Sequence, residues 1–87
     1  MTSLPTMQQF VMEYASRSPA FSTPASIDDA IDPAPGQMNT AQFNAFFSSI
    51  YAFLASKAVQ THIRLEEIST MTTWAELAGI LYARQTA

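Results

Sequence analysis

The sequence predicts an all-α fold, a small bundle of three long helices and one short helix. Three observations lead to this class. Apolar residues recur at spacings of three and four in three separate segments, which is the period of a helix. No segment alternates apolar and polar residues as a half-buried strand does. With 87 residues the chain has room for one hydrophobic core, so we expect one helical domain over 1–87.

The first long helix is predicted over about residues 4–17. Pro5 suits the first turn of this helix, and Pro19 lies just beyond its end. One face of the segment is apolar and is made of Leu4, Met7, Phe10, Val11 and Tyr14. We therefore expect this face to pack against the core.

A long loop is predicted over 18–38, because this segment is rich in residues that interrupt regular structure. Those residues are Pro19, Pro24, Pro33, Pro35 and Gly36. Ser26 and Asp29 have capping-box spacing, so one short helical turn anchored by Ile27 and Ile31 is expected here. Such a long loop is unusual in a compact domain. We expect it to cross the whole length of the bundle.

The second helix is predicted over 39–59. Asn39 is placed to accept a backbone hydrogen bond as N-cap, and Gln42 three positions later to complete a capping box. An apolar stripe follows, made of Phe43, Phe46, Phe47, Ile50 and Leu54. Further apolar residues lie outside this stripe, so apolar area covers more than half of the helix circumference.

Two interpretations of the second helix follow from this wide apolar area. It is either the central helix of the bundle, or it exposes an aromatic face to another protein. The residues expected to contact a partner in the second case are Phe43, Phe46, Phe47 and Tyr51.

The C-terminal part is predicted to hold a short helical turn near 64–69 and a last helix over 72–84. Thr73 and Glu76 have capping-box spacing at the start of the last helix. Its apolar face consists of Trp74, Leu77, Ala78 and Leu81. We expect one core to bring together Phe47, Leu54, Trp74 and Leu77.

Composition and charge exclude several classes of function. Four Lys and Arg residues against seven Asp and Glu residues give a net charge of −3, without a basic stripe for phosphates, so nucleic acid is not expected as a partner. The chain has no Cys and therefore no disulfide or thiolate metal site. No targeting segment and no membrane-spanning stretch are visible, so a cytoplasmic protein without membrane contact is expected.

The sequence offers no catalytic constellation. His62 is the single histidine and has no obvious orienting carboxylate nearby in sequence. The acidic group Asp28, Asp29 and Asp32 lacks the glycine and the distal Glu of a calcium loop. Glu66 and Glu67 are adjacent, so on a helix they point in different directions. We expect neither an enzyme nor a metal site.

The run from Ile63 to Leu81 resembles the end of acyl and peptidyl carrier proteins. In that family an apolar residue closes the second helix, a short third helix follows, and a Thr-apolar-x-x-Leu motif opens the last helix. The motif is matched here by Thr73-Trp74-Ala75-Glu76-Leu77. Chain length, acidic balance, the long first loop and the order of helices agree with a carrier-protein-like bundle.

The resemblance places an alanine where carrier proteins have their functional serine. That serine stands at the start of the second helix and carries the 4′-phosphopantetheine arm. Counting back without gaps gives Asn44-Ala45-Phe46 as the matching triplet, so the serine position is Ala45. Alanine has no hydroxyl, so no cofactor is expected unless Ala45 replaces a natural serine. A shifted alignment would offer Ser49 instead, in the middle of the helix.

The resemblance implies a carrier-like domain of thioester-based biosynthesis of fatty acids, polyketides or peptides. Without the serine, such a domain would act by docking to a partner protein, a biosynthetic enzyme. The second helix lacks the acidic side that carrier partners recognise, because 39–59 holds no Asp or Glu. The alternative is a helical interaction or assembly protein, such as a small subunit, a chaperone or an inhibitor, with a homodimer as one form.

Overall fold

A computed structural model of the chain describes residues 2–85, and over this range the fold is all-α as the sequence predicts. The helices are α1 (Leu4–Arg17), α2 (Thr40–Ser56), α3 (Leu65–Ser69) and α4 (Trp74–Ala83), with a 3₁₀ turn at Pro35–Gln37. Within 2–85 the extended pairing is limited to two isolated bridges, Ala30 with Thr73 and Thr61 with Gln85.

Side-chain caps explain where the long helices begin. Asn39 accepts a hydrogen bond from the Gln42 N–H at 2.8 Å, and the Gln42 side chain accepts one from the Asn39 N–H at 3.1 Å. This is the predicted capping box of α2. At α4 the Thr73 hydroxyl accepts from the Glu76 N–H at 3.1 Å. The Glu76 carboxylate accepts from neighbouring threonine hydroxyls, so it completes the cap differently from the predicted box.

Helix α2 ends at Ser56, three residues before the predicted end. Ala58 has φ of +60°, a left-handed conformation that stops a helix. The Val59 N–H donates to the Leu54 carbonyl at 2.9 Å and the Ala58 N–H donates to the Ala55 carbonyl at 3.0 Å, which together form a Schellman motif. The reversal turns Val59 into the core, where it is 5% exposed.

The core lies between α1 and α4 and is closed by α2. Its fully buried large side chains are Trp74, Met7, Ile50, Leu54, Ile68, Leu77, Leu81 and Val11. Three of the four residues expected to meet there, Leu54, Trp74 and Leu77, are buried, and Phe47 packs against the core from its edge. Burial of these apolar side chains is the main force that holds the helices together.

The 18–38 loop does not cross the bundle, contrary to expectation. The end of α1 and the start of α2 lie side by side, since Ser18 and Gln42 line one cleft. The loop instead folds over the start of α4. The Ile31 N–H donates to the Thr72 carbonyl at 2.9 Å, and the Trp74 N–H donates to the Asp29 carbonyl at 3.2 Å.

The expected helical turn after Ser26 is a tight turn without a helix. Its geometry is fixed by the Asp29 carboxylate, which accepts from the Ala25 N–H at 2.6 Å and from the Ser26 N–H at 3.2 Å. The turn does not continue as a helix because the next backbone groups pair with the segment at the start of α4: the Ile31 N–H donates to the Thr72 carbonyl, and the Asp29 carbonyl accepts from the Trp74 N–H. Ile31 is nevertheless buried, as an anchor should be.

None of the helices in the described part of the chain combines the length and the apolar character needed to cross a membrane.

Candidate functional site on the second helix

The inner side of α2 belongs to the core. Phe46, Ile50 and Leu54 are 4%, 0% and 1% exposed. The Phe46 ring lies 4.9 Å from the ring of Phe21 and 6.1 Å from that of Tyr14, measured between centroids. The expectation that Phe46 is an exposed partner contact is therefore wrong, because its ring is enclosed by aromatic rings of its own chain.

A row of half-buried aromatic residues runs along one edge of α2. Phe43, Phe47 and Tyr51, at spacings of four, pack against the core and keep part of their surface exposed. The rings of Phe47 and Tyr51 lie 4.7 Å apart. The Tyr51 hydroxyl accepts from the Ile63 N–H at 3.0 Å and donates to the Ile63 carbonyl at 3.2 Å. This row, the aromatic edge, is thus fixed in place by hydrogen bonds and packing.

The outer face of α2 is exposed, small and uncharged. It is formed by Ala41, Asn44, Ser48, Ala52 and Ala55. No charged residue occurs between Asp32 and Lys57. Seventeen helical residues give this face a length of about 25 Å. Lys57, at its end, points toward α1, where its ammonium lies 2.9 Å from the Glu13 carboxylate.

Ala45 is the sixth residue of α2, beyond its first turn, and is exposed. The residues at the start of the helix are Asn39, the N-cap, and Thr40. The carrier resemblance puts the arm-bearing position at the start of this helix, so Ala45 does not occupy the expected place. Its neighbour Asn44 is exposed and its neighbour Phe46 is buried.

The shifted alignment to Ser49 fits no better. The Ser49 hydroxyl lies 2.5 Å from the Tyr14 hydroxyl and 3.0 Å from the Phe46 carbonyl, to which it donates. Ser49 keeps exposed surface, but it lies in the middle of the helix and its hydroxyl is engaged with these two partners. Neither alignment therefore gives an exposed serine at the start of α2.

An apolar cleft lies beside the inner side of α2 and was not expected from the sequence. Its volume is about 330 Å³, and its walls include Tyr14, Phe21, Met38, Ala45, Phe46 and Ser49. The isolated aromatic Phe21, in a loop of Ser, Pro and Ala, is the sequence signal that could have indicated a packed loop here. We call this feature the α1–α2 cleft.

The charged residues near the C-terminus line a surface groove that holds one ion pair, Glu67 with Arg84. His62, Arg64, Glu66, Glu67 and Arg84 line it. Glu67 accepts from the Arg64 N–H at 3.1 Å and from the Arg84 guanidinium at 2.9 Å. These bonds hold the pKa of Glu67 below its usual value. His62 is exposed, and its backbone N–H donates to the Arg84 carbonyl.

Two acidic residues of the first loop, Asp29 and Asp32, have structural partners. The pKa of Asp29 is lowered by the N–H groups of Ala25 and Ser26. Asp32 accepts from the Ser22 hydroxyl at 3.2 Å. Over residues 2–85 the structure contains no group of three or more His, Asp and Glu side chains that could hold a metal ion.

No protein-family model, no curated protein and no solved structure matches this chain.

Proposed function

We propose that this chain is a docking domain that acts without catalysis and binds a partner protein through α2. The observation that carries the proposal is the charge distribution. The exposed side of α2 has no charged residue along its whole length, whereas the chain as a whole has a net charge of −3. Surface helices usually carry charged residues on the outer face.

The shape of this surface suits a second helix or a flat apolar patch. Small residues such as Ala41, Ser48 and Ala52 let a partner backbone approach closely, and Phe47 and Tyr51 offer ring surface at the side. Burial of about 400 Å² of apolar area would contribute on the order of 10 kcal/mol before the cost of association. This gain is of the same order as the cost of association, about 4 to 15 kcal/mol, so stable docking through this face requires a larger apolar contact area or additional neutral hydrogen bonds.

The carrier resemblance supplies the class of partner in this proposal, an enzyme of thioester-based biosynthesis in the cytoplasm. In this form of the proposal the chain occupies a carrier's docking position without carrying an arm. The absence of a hydroxyl at Ala45, and the engagement of Ser49 with Tyr14, support an action through shape and apolar contact.

Substitutions that place a charge on α2 test the docking surface. Ala52→Arg puts a guanidinium in the centre of the outer face, and Gln9→Arg puts one on the exposed side of α1 as the matched control. Both tagged variants and the natural chain are used to capture proteins from the source organism. We expect at least one protein to bind the natural chain and Gln9→Arg but not Ala52→Arg. Capture that Ala52→Arg leaves unchanged would contradict the proposal.

Intact mass tests the non-covalent mode of action. The natural chain is incubated with a phosphopantetheinyl transferase and coenzyme A, beside an Ala45→Ser variant. We expect no mass gain for the natural chain. A gain equal to the arm would contradict the proposal, and loading of Ala45→Ser alone would indicate a carrier that has recently lost its serine.

The second candidate is an assembly protein that forms a homodimer through the same face. Two copies with a charge of −3 each repel one another, and the outer face of α2 is a surface on which they can meet without bringing carboxylates together. Sedimentation equilibrium decides between the candidates. A dimer that Ala52→Arg dissociates supports self-association, and a monomer at all concentrations excludes it.

A further inference from the structure

The α1–α2 cleft has the size and the walls of a small-molecule site. Its volume of about 330 Å³ lies at the lower end of the range for such sites, roughly 300 to 1,000 Å³. Three separate segments line it and leave it open to solvent on one side, namely the end of α1, the first loop and the first half of α2. Phe21 and Phe46 form its aromatic floor, with ring centroids 4.9 Å apart in an edge-to-face arrangement.

The lining of the cleft specifies the charge of an occupant. Among residues 2–85, no lysine, arginine, histidine, aspartate or glutamate contributes to its walls. An ion placed there would lose hydration without gaining an opposite charge, which is costly. Burial also raises the pKa of the Tyr14 hydroxyl, which therefore stays neutral over the physiological range. The cleft thus favours a neutral molecule.

Hydroxyl groups on one wall specify the polar part of the occupant. A serine hydroxyl has one hydrogen, and that of Ser49 is donated to the Phe46 carbonyl at 3.0 Å. The Tyr14 hydroxyl must then donate to Ser49, at 2.5 Å. The Ser18 hydroxyl, on the same wall, is a further hydrogen-bond partner of the Tyr14 hydroxyl, so the acceptor capacity left on this wall lies on the serine oxygens. A bound molecule with one O–H or N–H group can donate to these oxygens.

We propose that the α1–α2 cleft binds a neutral, mainly apolar small molecule that carries a single hydrogen-bond donor. This site is separate from the docking surface, because Asn44, Ser48 and Ala52 do not line the cleft. The site also includes Ala45, the position that the carrier resemblance assigns to the serine. The methyl group of Ala45 lies at the rim of the cleft, where a larger side chain would occupy the space.

A matched pair of dyes tests the proposal on the isolated chain, without any partner. N-phenyl-1-naphthylamine is neutral and has one N–H, and 8-anilinonaphthalene-1-sulfonate is the same ring system with an added negative charge. Both are titrated in about 1 M salt, where the Debye length of about 3 Å removes long-range repulsion. We expect one neutral dye to bind per chain, and the sulfonate to bind at least about tenfold more weakly.

Two variants locate the binding. Ala45→Trp fills the rim of the cleft, and Ala52→Trp adds the same side chain on the outer face of α2. Circular dichroism checks that both remain helical. We expect Ala45→Trp to weaken binding of the neutral dye at least about tenfold and Ala52→Trp to leave it unchanged. Equal binding to both folded variants, or no binding to the natural chain, would overturn the proposal.

NMR of the backbone amides provides a test on the natural chain, so it does not require that a variant folds. On addition of the neutral dye we expect shifts for Ser18, Ala20, Phe21 and Gln42–Ser49, and none for Ile80–Ala83 at the far end of α4. Shifts spread over all helices, or confined to α4, would overturn the site. None of these outcomes depends on the capture experiment with Ala52→Arg. Failure of the small-molecule site can therefore be distinguished from failure of the docking surface.

Discussion

The Tyr14 hydroxyl on α1 and the Ser49 hydroxyl on α2 are 2.5 Å apart, although 35 positions separate them in the sequence. Tyr14 is 6% exposed, and its ring also packs against the rings of Phe21, Phe46, Phe53 and Trp74. One residue of α1 therefore contacts α2, the first loop and α4. The contacts of Tyr14 determine which side of α2 faces the core and therefore which side is exposed to solvent.

Tyr14→Phe should lower the free energy of unfolding by about 0.5 to 1.5 kcal/mol, because it removes one hydrogen bond and keeps the ring. Urea denaturation followed by circular dichroism measures the change. Tyr82→Phe is the control, since Tyr82 is 42% exposed and should lose almost nothing. An equal effect for both variants would show that the Tyr14–Ser49 bond does not stabilise the fold.

Leu77→Ala should cost about 2 to 5 kcal/mol, because it opens a cavity in a completely buried part of α4. In a domain of this size such a loss can unfold the chain. Tyr82→Ala on the exposed side of the same helix is the control. Thermal unfolding of both variants checks the difference, and a loss below about 0.5 kcal/mol for Leu77→Ala would place α4 at the periphery.

Ala58→Gly should stabilise the chain by about 0.5 to 1 kcal/mol, because Ala58 has φ of +60° and glycine adopts this conformation without a steric penalty. Ala55→Gly, three residues earlier inside α2, should have the opposite sign and cost about 1 kcal/mol. Denaturation midpoints compare the two variants. If both changes destabilise the chain, the Schellman motif at the end of α2 is absent.

Acid should destabilise the fold because three carboxyl groups have lowered pKa values in the folded state. Lys57 lowers the pKa of Glu13, and backbone N–H groups lower those of Asp29 and Glu67. The unfolded chain then binds more protons, so stability is complete above the ordinary values of 4.5 for Glu and 3.8 for Asp. Stability is lost as the pH falls through the folded-state values.

Melting temperatures between pH 7 and pH 3 measure this dependence. Asp29→Asn removes one of the three groups and should flatten the fall below about pH 4. Glu66→Gln is the control and should keep the slope, because the exposed Glu66 carboxylate forms no hydrogen bond or ion pair with any residue of the described range 2–85. A melting temperature that is constant down to pH 3 would contradict the proposed role of these carboxylates.

The helices and their caps were predictable from the sequence because they depend on local signals. The bounds of α1 and the capping box of Asn39 with Gln42 agree with the structure. The end of α2 was missed because Ala58, and not a glycine, takes the left-handed conformation. No local sequence signal predicts this conformation of Ala58, because it depends on the burial of Val59 in the core.

The candidate site was less predictable because it depends on long-range packing. Periodicity places both Phe46 and Phe47 on the apolar side of α2 and does not distinguish them. Phe46 is the one that is enclosed, because the ring of Phe21 packs against it. The α1–α2 cleft arises from the path of the loop, which no spacing rule describes. The absence of charge on α2, in contrast, is visible directly in the sequence.

Site-specific photocrosslinking in the source organism tests the docking proposal most directly. A benzophenone amino acid at Ser48, on the outer face of α2, is compared with the same group at Gln9 on the exposed side of α1. The proposed docking domain should give a discrete crosslinked protein at Ser48 and none at Gln9. Crosslinks at Gln9 alone, or the same products at both positions, would show that α2 is not the surface by which this chain binds its partner.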